Sequence, residues 1–314
     1  MSSRKLKYLL LLSLCALAIG LVACGSDDSS DDSSDAPETT ASGELTIGSK
    51  NFTEQIVLGE IYAQALESVG YDVNTDLNLG SETVARKALK AGEISGYPEY
   101  ISTALTSFYK AAPEDVPSDP DAAYEKVKAE AAKDGLVAFP QTPFASANAV
   151  GMLTSKAEEL GVTKISDLKG QDKDLKLYGS PECRQRIDCL LGLQQNYGLD
   201  PQFTPVDIGL RYEVLDKGQA DLSIVFTTDA QLGVDDKYTI LEDDLGVLPA
   251  GNVTFLTTQD VIDEAGPEYQ QTIEDVQSDL TVEVMQELDA RVDIDKEEPA
   301  DVAADYLQTI GFTE

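Results

Sequence analysis

The sequence predicts an α/β protein built as two lobes. Strand-like runs alternate with helix-like runs, the pattern breaks over residues 140–147 and then restarts, and 314 residues are too many for one module but suit two. No internal repeat of 20–50 residues competes with that reading.

Taken in order, residues 45–48 read as a short strand leading into Ser49–Gln55. Asn51 followed three residues later by Glu54 resembles a capping box. Ile56, Leu58, Ile61, Ala65, Leu66 and Val69 then recur at helical spacing, and Gly70 stops that helix. Residues 71–79 read as a strand, and Ser81 begins a helix that carries Val84, Ala88 and Leu89 to a stop at Gly92. Residues 94–97 are strand-like, and Pro98, Glu99 and Tyr100 are expected to turn into a helix through Leu105 and Tyr109. A Pro/Asp-rich loop (112–121) and a helix (122–133) follow.

After the break, residues 149–153 form an apolar run, Ser166 caps a short helix and residues 175–179 are a buried-type strand. Pro181 opens a helix expected to run to Tyr197, where Gly198 ends it. Strand, helix and strand are read at 203–208, 212–217 and 222–226, a further strand at 253–257, and mostly helix to Glu314. Alternation of this kind implies two parallel-type sheets.

Charge narrows the function. Lys and Arg number 23 against 57 Asp and Glu, a net charge of −34. Nucleic acid is thus not expected as a partner, because phosphate binding needs a basic face, and direct adhesion to anionic headgroups is disfavoured. The acidity fits either plain solubility at a cell surface or adaptation to salt. Histidine is absent, which removes the commonest general base and metal ligand. An enzyme is not expected: no Gly-x-Ser-x-Gly elbow is present, and only Ser/Lys or paired carboxylates could act. Trp is absent too, so any cation–π cage rests on Tyr or Phe.

The N-terminus reads as an address. Arg4, Lys5 and Lys7 precede an apolar run (8–23) shorter than the roughly 20 residues that span a bilayer. Residues 1–23 are therefore read as a signal peptide. The run ends Leu21-Val22-Ala23-Cys24-Gly25, which resembles a bacterial lipobox in which Cys24 is lipidated; a generic signal peptide that happens to contain a Cys is the rival reading. Residues 24–43 form a Ser/Asp/Thr-rich tether. The folded part is expected outside the cytoplasmic membrane, exported and lipid-anchored to the outer face of the cell membrane. Cys183 and Cys189 remain, and in an exported domain they suggest one disulfide; two thiols without His make a poor metal site.

Several strings then come in fixed order. They are Gly48-Ser49-Lys50-Asn51-Phe52-Thr53-Glu54-Gln55, Asn78-Leu79-Gly80, Ala88-Leu89-Lys90-Ala91-Gly92-Glu93-Ile94 and Tyr97-Pro98-Glu99-Tyr100-Ile101-Ser102-Thr103. Downstream stand Ser180-Pro181-Glu182-Cys183 with Arg186, Tyr197-Gly198-Leu199 and Phe226-Thr227-Thr228-Asp229. Together they resemble the substrate-binding proteins of osmoprotectant ABC importers, the glycine betaine/carnitine/choline group, over essentially all of residues 44–314.

That resemblance implies a type II periplasmic-binding-protein clamp with a two-stranded hinge and no cofactor or metal. Lobe one would be residues 44–148 plus 253–314, and lobe two residues 149–252. The implied partners are a small zwitterion or organic cation and an ABC permease, with the protein acting as a monomer. A ligand-sensing clamp, or a binder of another small polar amine or carboxylate, is the alternative; a sensor would carry a fused membrane or kinase segment, and the sequence to Glu314 shows none.

Residue by residue, Lys50 matches a cation near the ligand carboxylate, on a turn expected to aim free N–H groups inward. Thr103 matches a hydroxyl donor to that carboxylate, and Arg186 an arginine gripping it from lobe two. Tyr100 matches a cage tyrosine, and Phe226 stands where a Tyr is often found. Two further cage rings are replaced, by Ser146-Ala147-Asn148-Ala149 and by Pro249-Ala250-Gly251-Asn252. Tyr97, Tyr178 and Tyr212 are candidates to fill that gap, and Asn148 would suit a polar ligand head.

Overall fold

The computed structural model describes residues 43–234 and 236–314. The expected signal peptide, Cys24 and the expected tether up to residue 42 lie outside the described residues.

Among the described residues, ten strands form two five-stranded sheets. They are β1 (Glu44–Gly48), β2 (Asp72–Asp76), β3 (Gly96–Tyr100), β4 (Val137–Ser146), β5 (Asn148–Leu153), β6 (Lys176–Gly179), β7 (Gln202–Pro205), β8 (Leu222–Phe226), β9 (Tyr238–Leu241) and β10 (Gly251–Thr257). The first sheet has the order β2-β1-β3-β10-β4, the second β7-β6-β8-β5-β9.

Both sheets are mixed rather than parallel. β1 runs parallel to β2 and β3, and β6 parallel to β7 and β8, as strand–helix alternation dictates. β10 is antiparallel to β3 and β4, and β5 is antiparallel to β8 and β9. The exceptions have a common cause. β4 and β5 are separated only by Ala147 yet belong to different sheets, and β10 returns the chain to the first sheet beside β4. A strand that leaves or enters through the hinge meets the crossover strands head-on.

The hinge is held by short polar contacts. Ser146 Oγ and Thr228 Oγ1 lie 2.9 Å apart, and the Ala147 N–H donates to Thr227 Oγ1 at 3.0 Å. Gly251 is required there, because a Cβ would fall 2.5 Å from the Ser102 amide nitrogen.

Each lobe has its own core. In the first, Ile47, Val57, Leu58, Ile61 and Tyr62 are fully buried, and Tyr62 meets Phe255 edge-on at 5.1 Å. The second is built on Val150, Leu177, Leu193 and Ile224. The helix Thr53–Ser68 presents Val57, Leu58, Ile61 and Tyr62 inward, but it has no capping box. Phe52 is its N-cap in extended backbone without a side-chain cap bond. Glu54 turns inward instead, where it accepts the Tyr100 hydroxyl.

Two further expectations are corrected. Pro98, Glu99 and Tyr100 lie in β3, and only from Ile101 does the chain coil, ending in a wide π-type turn at Ala104–Phe108. The single helix expected from Pro181 to Tyr197 is broken into a tight turn Pro181–Gln185, an irregular stretch, and helical turns from Leu190 to Tyr197. Cys183 and Cys189 are joined as a disulfide with Cα atoms 5.1 Å apart. Six residues of α-helix would separate them by about 9 Å, beyond what a disulfide spans. Helix and bond exclude each other, and the bond is present.

Candidate functional site

The cleft between the lobes is lined by the C-terminal ends of β1 and β3 on one side and by the cystine loop and the ends of β5 and β8 on the other. From lobe one, Lys50 follows β1 and is almost fully buried. Its Nζ is paired with Glu99 Oε1 and sits 4.4 Å from the Tyr100 ring centroid and 5.8 Å from that of Phe52. Glu99, fully buried, also accepts the Tyr97 hydroxyl at 3.1 Å and the Tyr100 N–H at 2.8 Å. The turn around Lys50 does not offer free amides at its start. The Lys50 N–H points to Gln55 Oε1 at 3.4 Å, and the Asn51 N–H donates to the Gly80 carbonyl at 3.2 Å.

From lobe two, the cystine loop presents Arg186. Its fork is already occupied: Nε and Nη2 donate to the two Asp188 oxygens at 2.9 and 2.5 Å. Burial disfavours the Asp188 charge, yet Arg186 beside it holds that carboxyl below the usual range. Asn148 and Phe226 are register partners on β5 and β8, and Asn148 Nδ2 donates to the Asp188 carbonyl at 2.9 Å.

The lobes touch across the cleft. Arg186 Nη2 reaches Thr103 Oγ1 at 3.3 Å, Thr106 Oγ1 donates to Asp188 Oδ2 at 3.2 Å, and Arg186 Nη1 is 3.7 Å from Glu82. Phe52 and Phe226 pack with centroids 4.9 Å apart, and Phe52 stacks on Tyr100 at 6.2 Å. These contacts describe a closed clamp.

All six residues singled out in the sequence (Lys50, Tyr100, Thr103, Asn148, Arg186 and Phe226) line this one cleft. Tyr97, Tyr178 and Tyr212 do not; Tyr97 is turned to Glu99, and the Tyr212 hydroxyl donates to Asp229 at 2.8 Å. A further ring in the cleft is Phe52. Its signal stands in the Lys50-Asn51-Phe52 string, whose spacing reads as a helix start. Arg211 and Asp188 were missed as well. Arg211 is buried, its Nη2 paired with Asp229 Oδ1 and its guanidinium carbon 4.1 Å from the Phe226 centroid.

A polar, ring-lined cleft between two α/β lobes is a binding clamp, and the family comparison says which kind. The OpuAC model, the substrate binding domain of the ABC-type glycine betaine transport system, matches residues 43–309. The chain belongs to this family. A glycine-betaine-binding protein of Pseudomonas aeruginosa is 34% identical to this OpuAC-family chain over 313 residues, covering 95% of the chain and 94% of the relative. The glycine betaine-binding protein YehZ of Escherichia coli is 26% identical, covering 87% of this chain and 92% of its own. A crystal structure of a glycine betaine/carnitine/choline ABC transporter protein superposes with a TM-score of 0.66 at 25% identity, covering 85% of this chain and 99% of that one. The two-lobed binding-protein fold read from the sequence is thereby shown, and the OpuAC-family chain is a solute-binding component of an ABC importer.

Behind the cleft of this OpuAC-family chain lies a buried acidic cluster. Glu54 and Asp289 are 3% and 4% exposed, and Glu54 Oε2 and Asp289 Oδ1 have no hydrogen-bond partner among the described residues. Burial, reinforced by neighbouring carboxylates, pushes the Asp289 carboxyl well above its ordinary range, and burial pushes Glu54 and Asp229 up as well.

Proposed function

We propose that this chain captures a small zwitterion or quaternary amine of the glycine betaine class outside the cytoplasmic membrane and delivers it to an ABC permease as a monomer. The observation that carries the reading is three rings, Phe52, Tyr100 and Phe226, meeting the cations Lys50 and Arg186 in one cleft. A quaternary ammonium has no hydrogen to donate, so ring faces are its natural partners, each contributing ~0.5–2 kcal/mol. Cations beside a hydroxyl suit a carboxylate at the other end. On this reading Tyr100, Phe226 and Phe52 face the ammonium, Lys50, Thr103 and Arg186 take the carboxylate, and Asn148 contacts a polar part of the ligand. The names of the relatives favour the same ligand class. The division into lobes of residues 44–148 plus 253–314 and of 149–252 is supported by the sheet membership of β5 and β10.

The test is a thermal-shift screen with glycine betaine, choline, carnitine, ectoine and ergothioneine. A binder at a hundredfold its Kd is expected to stabilise the protein by roughly 2.7 kcal/mol. Tyr100→Ala should weaken that ligand by about 2- to 30-fold, the loss of one ring face. A flat response to every solute overturns the reading.

The same reading makes Cys24 the lipidated residue that ties the protein to the membrane. Cys24→Ala is expected to leave the precursor unprocessed or release protein to the medium. Unchanged membrane retention and processing would remove the anchor from the model.

A further inference from the structure

Three polar contacts reach from the second lobe to the first at one edge of the cleft, and all three come from one short loop. Arg186 Nη2 lies 3.3 Å from Thr103 Oγ1, Arg186 Nη1 lies 3.7 Å from Glu82, and Asp188 Oδ2 accepts from Thr106 Oγ1 at 3.2 Å. Both residues stand inside the loop closed by the Cys183–Cys189 disulfide, with Arg186 three residues from each cysteine. Both cysteines are buried and Cys189 lines the cleft, so the bond is part of the wall of the site.

The backbone of this loop decides what Arg186 can hold. Its Nε and Nη2 both donate to Asp188, two residues further on. On an α-helix, side chains two positions apart do not face each other, so the fork needs a non-helical backbone. Yet the segment begins as a helix would, with Pro181 in its first turn, and it returns to helical turns at Leu190. The disulfide breaks the path between them, because the two cysteines could not meet across a continuous helix. Within the loop the Arg186 N–H donates to the Cys183 carbonyl at 3.3 Å and the Cys189 N–H to the Arg186 carbonyl at 3.2 Å. These bonds set the turn on which the guanidinium stands. Gly192 completes the fit, since a Cβ there would fall 1.8 Å from the Ile187 carbonyl oxygen.

We propose that Cys183 and Cys189 are positioning residues of the binding site, their bond holding Arg186 and Asp188 as one preset unit. The assignment rests on the reading that the cleft binds solutes of the betaine class with Arg186 at the carboxylate. A side chain that must be ordered on binding costs affinity, and one ordered in advance does not. The bond therefore acts on affinity through Arg186, beyond what it contributes to stability by constraining the unfolded chain.

The experiment is a double-mutant cycle on the full chain, read by titration calorimetry with glycine betaine well below the melting temperature of each variant. One arm removes the bond, as Cys183→Ser/Cys189→Ser. The other removes the two charges together, as Arg186→Met/Asp188→Asn, so that neither is stranded. Losing the bond alone should weaken glycine betaine by about 2- to 10-fold. In the Arg186→Met/Asp188→Asn background the same loss should change affinity by less than about 2-fold, because the groups it positions are gone. A bond that only stabilises the fold lowers the melting temperature in both backgrounds and leaves affinity unchanged. Equal losses of affinity in both backgrounds would mean that the bond acts elsewhere in the site. Either result overturns the assignment. If the serine variant does not fold, Gly192→Ala tests the same loop with the bond intact, because the added methyl group displaces the Ile187 carbonyl. Glycine betaine should then bind more weakly only where Arg186 and Asp188 are present, and a Gly192→Ala protein that binds as wild type overturns the assignment. Wild-type protein that does not bind glycine betaine overturns instead the functional reading on which it rests.

Discussion

Asp188→Ala is expected to destabilise the protein by about 3–5 kcal/mol, the range for breaking a buried ion pair by removing one partner. Asp188 is 3% exposed and takes both Nε and Nη2 of Arg186, with Thr106 from the opposite lobe as a third donor at 3.2 Å. Removing the carboxylate leaves a guanidinium in the seam between lobes without its close ion-pair partner, with Thr103 Oγ1 at 3.3 Å and Glu82 at 3.7 Å. Burial raises the Asp188 pKa while Arg186 lowers it, and the folded state holds the carboxyl below its unfolded range. A depressed folded pKa contributes stability that is fully present above the unfolded value, roughly pH 4, and is lost as pH falls through the folded value. The difference between wild type and variant should therefore be full at pH 7 and shrink in acid. Urea unfolding at pH 7 and at a pH well below about 4 measures both. A loss below about 1 kcal/mol at pH 7 would mean that the pair behaves like an exposed one.

The sequence announced the scaffold better than its exceptions. Helical periodicity and the stop at Gly92, which has a left-handed φ of 71°, located the helix Glu82–Ala91. The order of short strings located Lys50, Tyr100, Thr103, Arg186 and Phe226, because residues at strand ends gather at one sheet edge, whereas Asn148 was read from a stretch that departs from the family pattern. β4 was not legible: Pro140 and Pro143 argue against a strand, and it survives because it lies at the edge of its sheet, where a missing N–H leaves no ladder bond unmade. The break after Gln185 follows from a cystine whose distance requirement overrides helix propensity. Phe52 reads as an ordinary residue of a helix start, and only its extended backbone (φ −151°, ψ 160°) as N-cap goes with a ring in the cleft. Arg211 and Asp229 are 18 residues apart, a separation at which no local pattern pairs charges.

Asp289→Asn is expected to act in the opposite direction, stabilising the protein at pH 8. The carboxyl of Asp289 is 4% exposed, has an oxygen with no hydrogen-bond partner among the described residues, and faces Glu54, Asp229, Asp293 and, as an opposing charge, Arg211. Burial first, and then these carboxylates, raise its pKa well above the ordinary value. Glu54 is likewise raised by burial, against the hydrogen bonds of Thr228 and Tyr100. A raised carboxyl pKa means that the folded state holds more protons than the unfolded one. Stability then falls as pH rises from the unfolded value near 4 through the folded value, and the penalty is complete above it. An amide has no charge to bury and supplies donors to the neighbouring oxygens, so the variant should recover about 1–3 kcal/mol at pH 8. That corresponds to roughly 2–4 °C in melting temperature per kcal/mol for a protein of this size. As pH falls toward the unfolded value near 4, where the unfolded chain also begins to gain this proton, the gain should shrink. Melting curves at pH 8, 6.5 and 5 decide the matter. A variant less stable at pH 8, or a gain that does not change with pH, would mean that Asp289 is charged and satisfied where it stands, and that Arg211 rather than a proton neutralises the cluster.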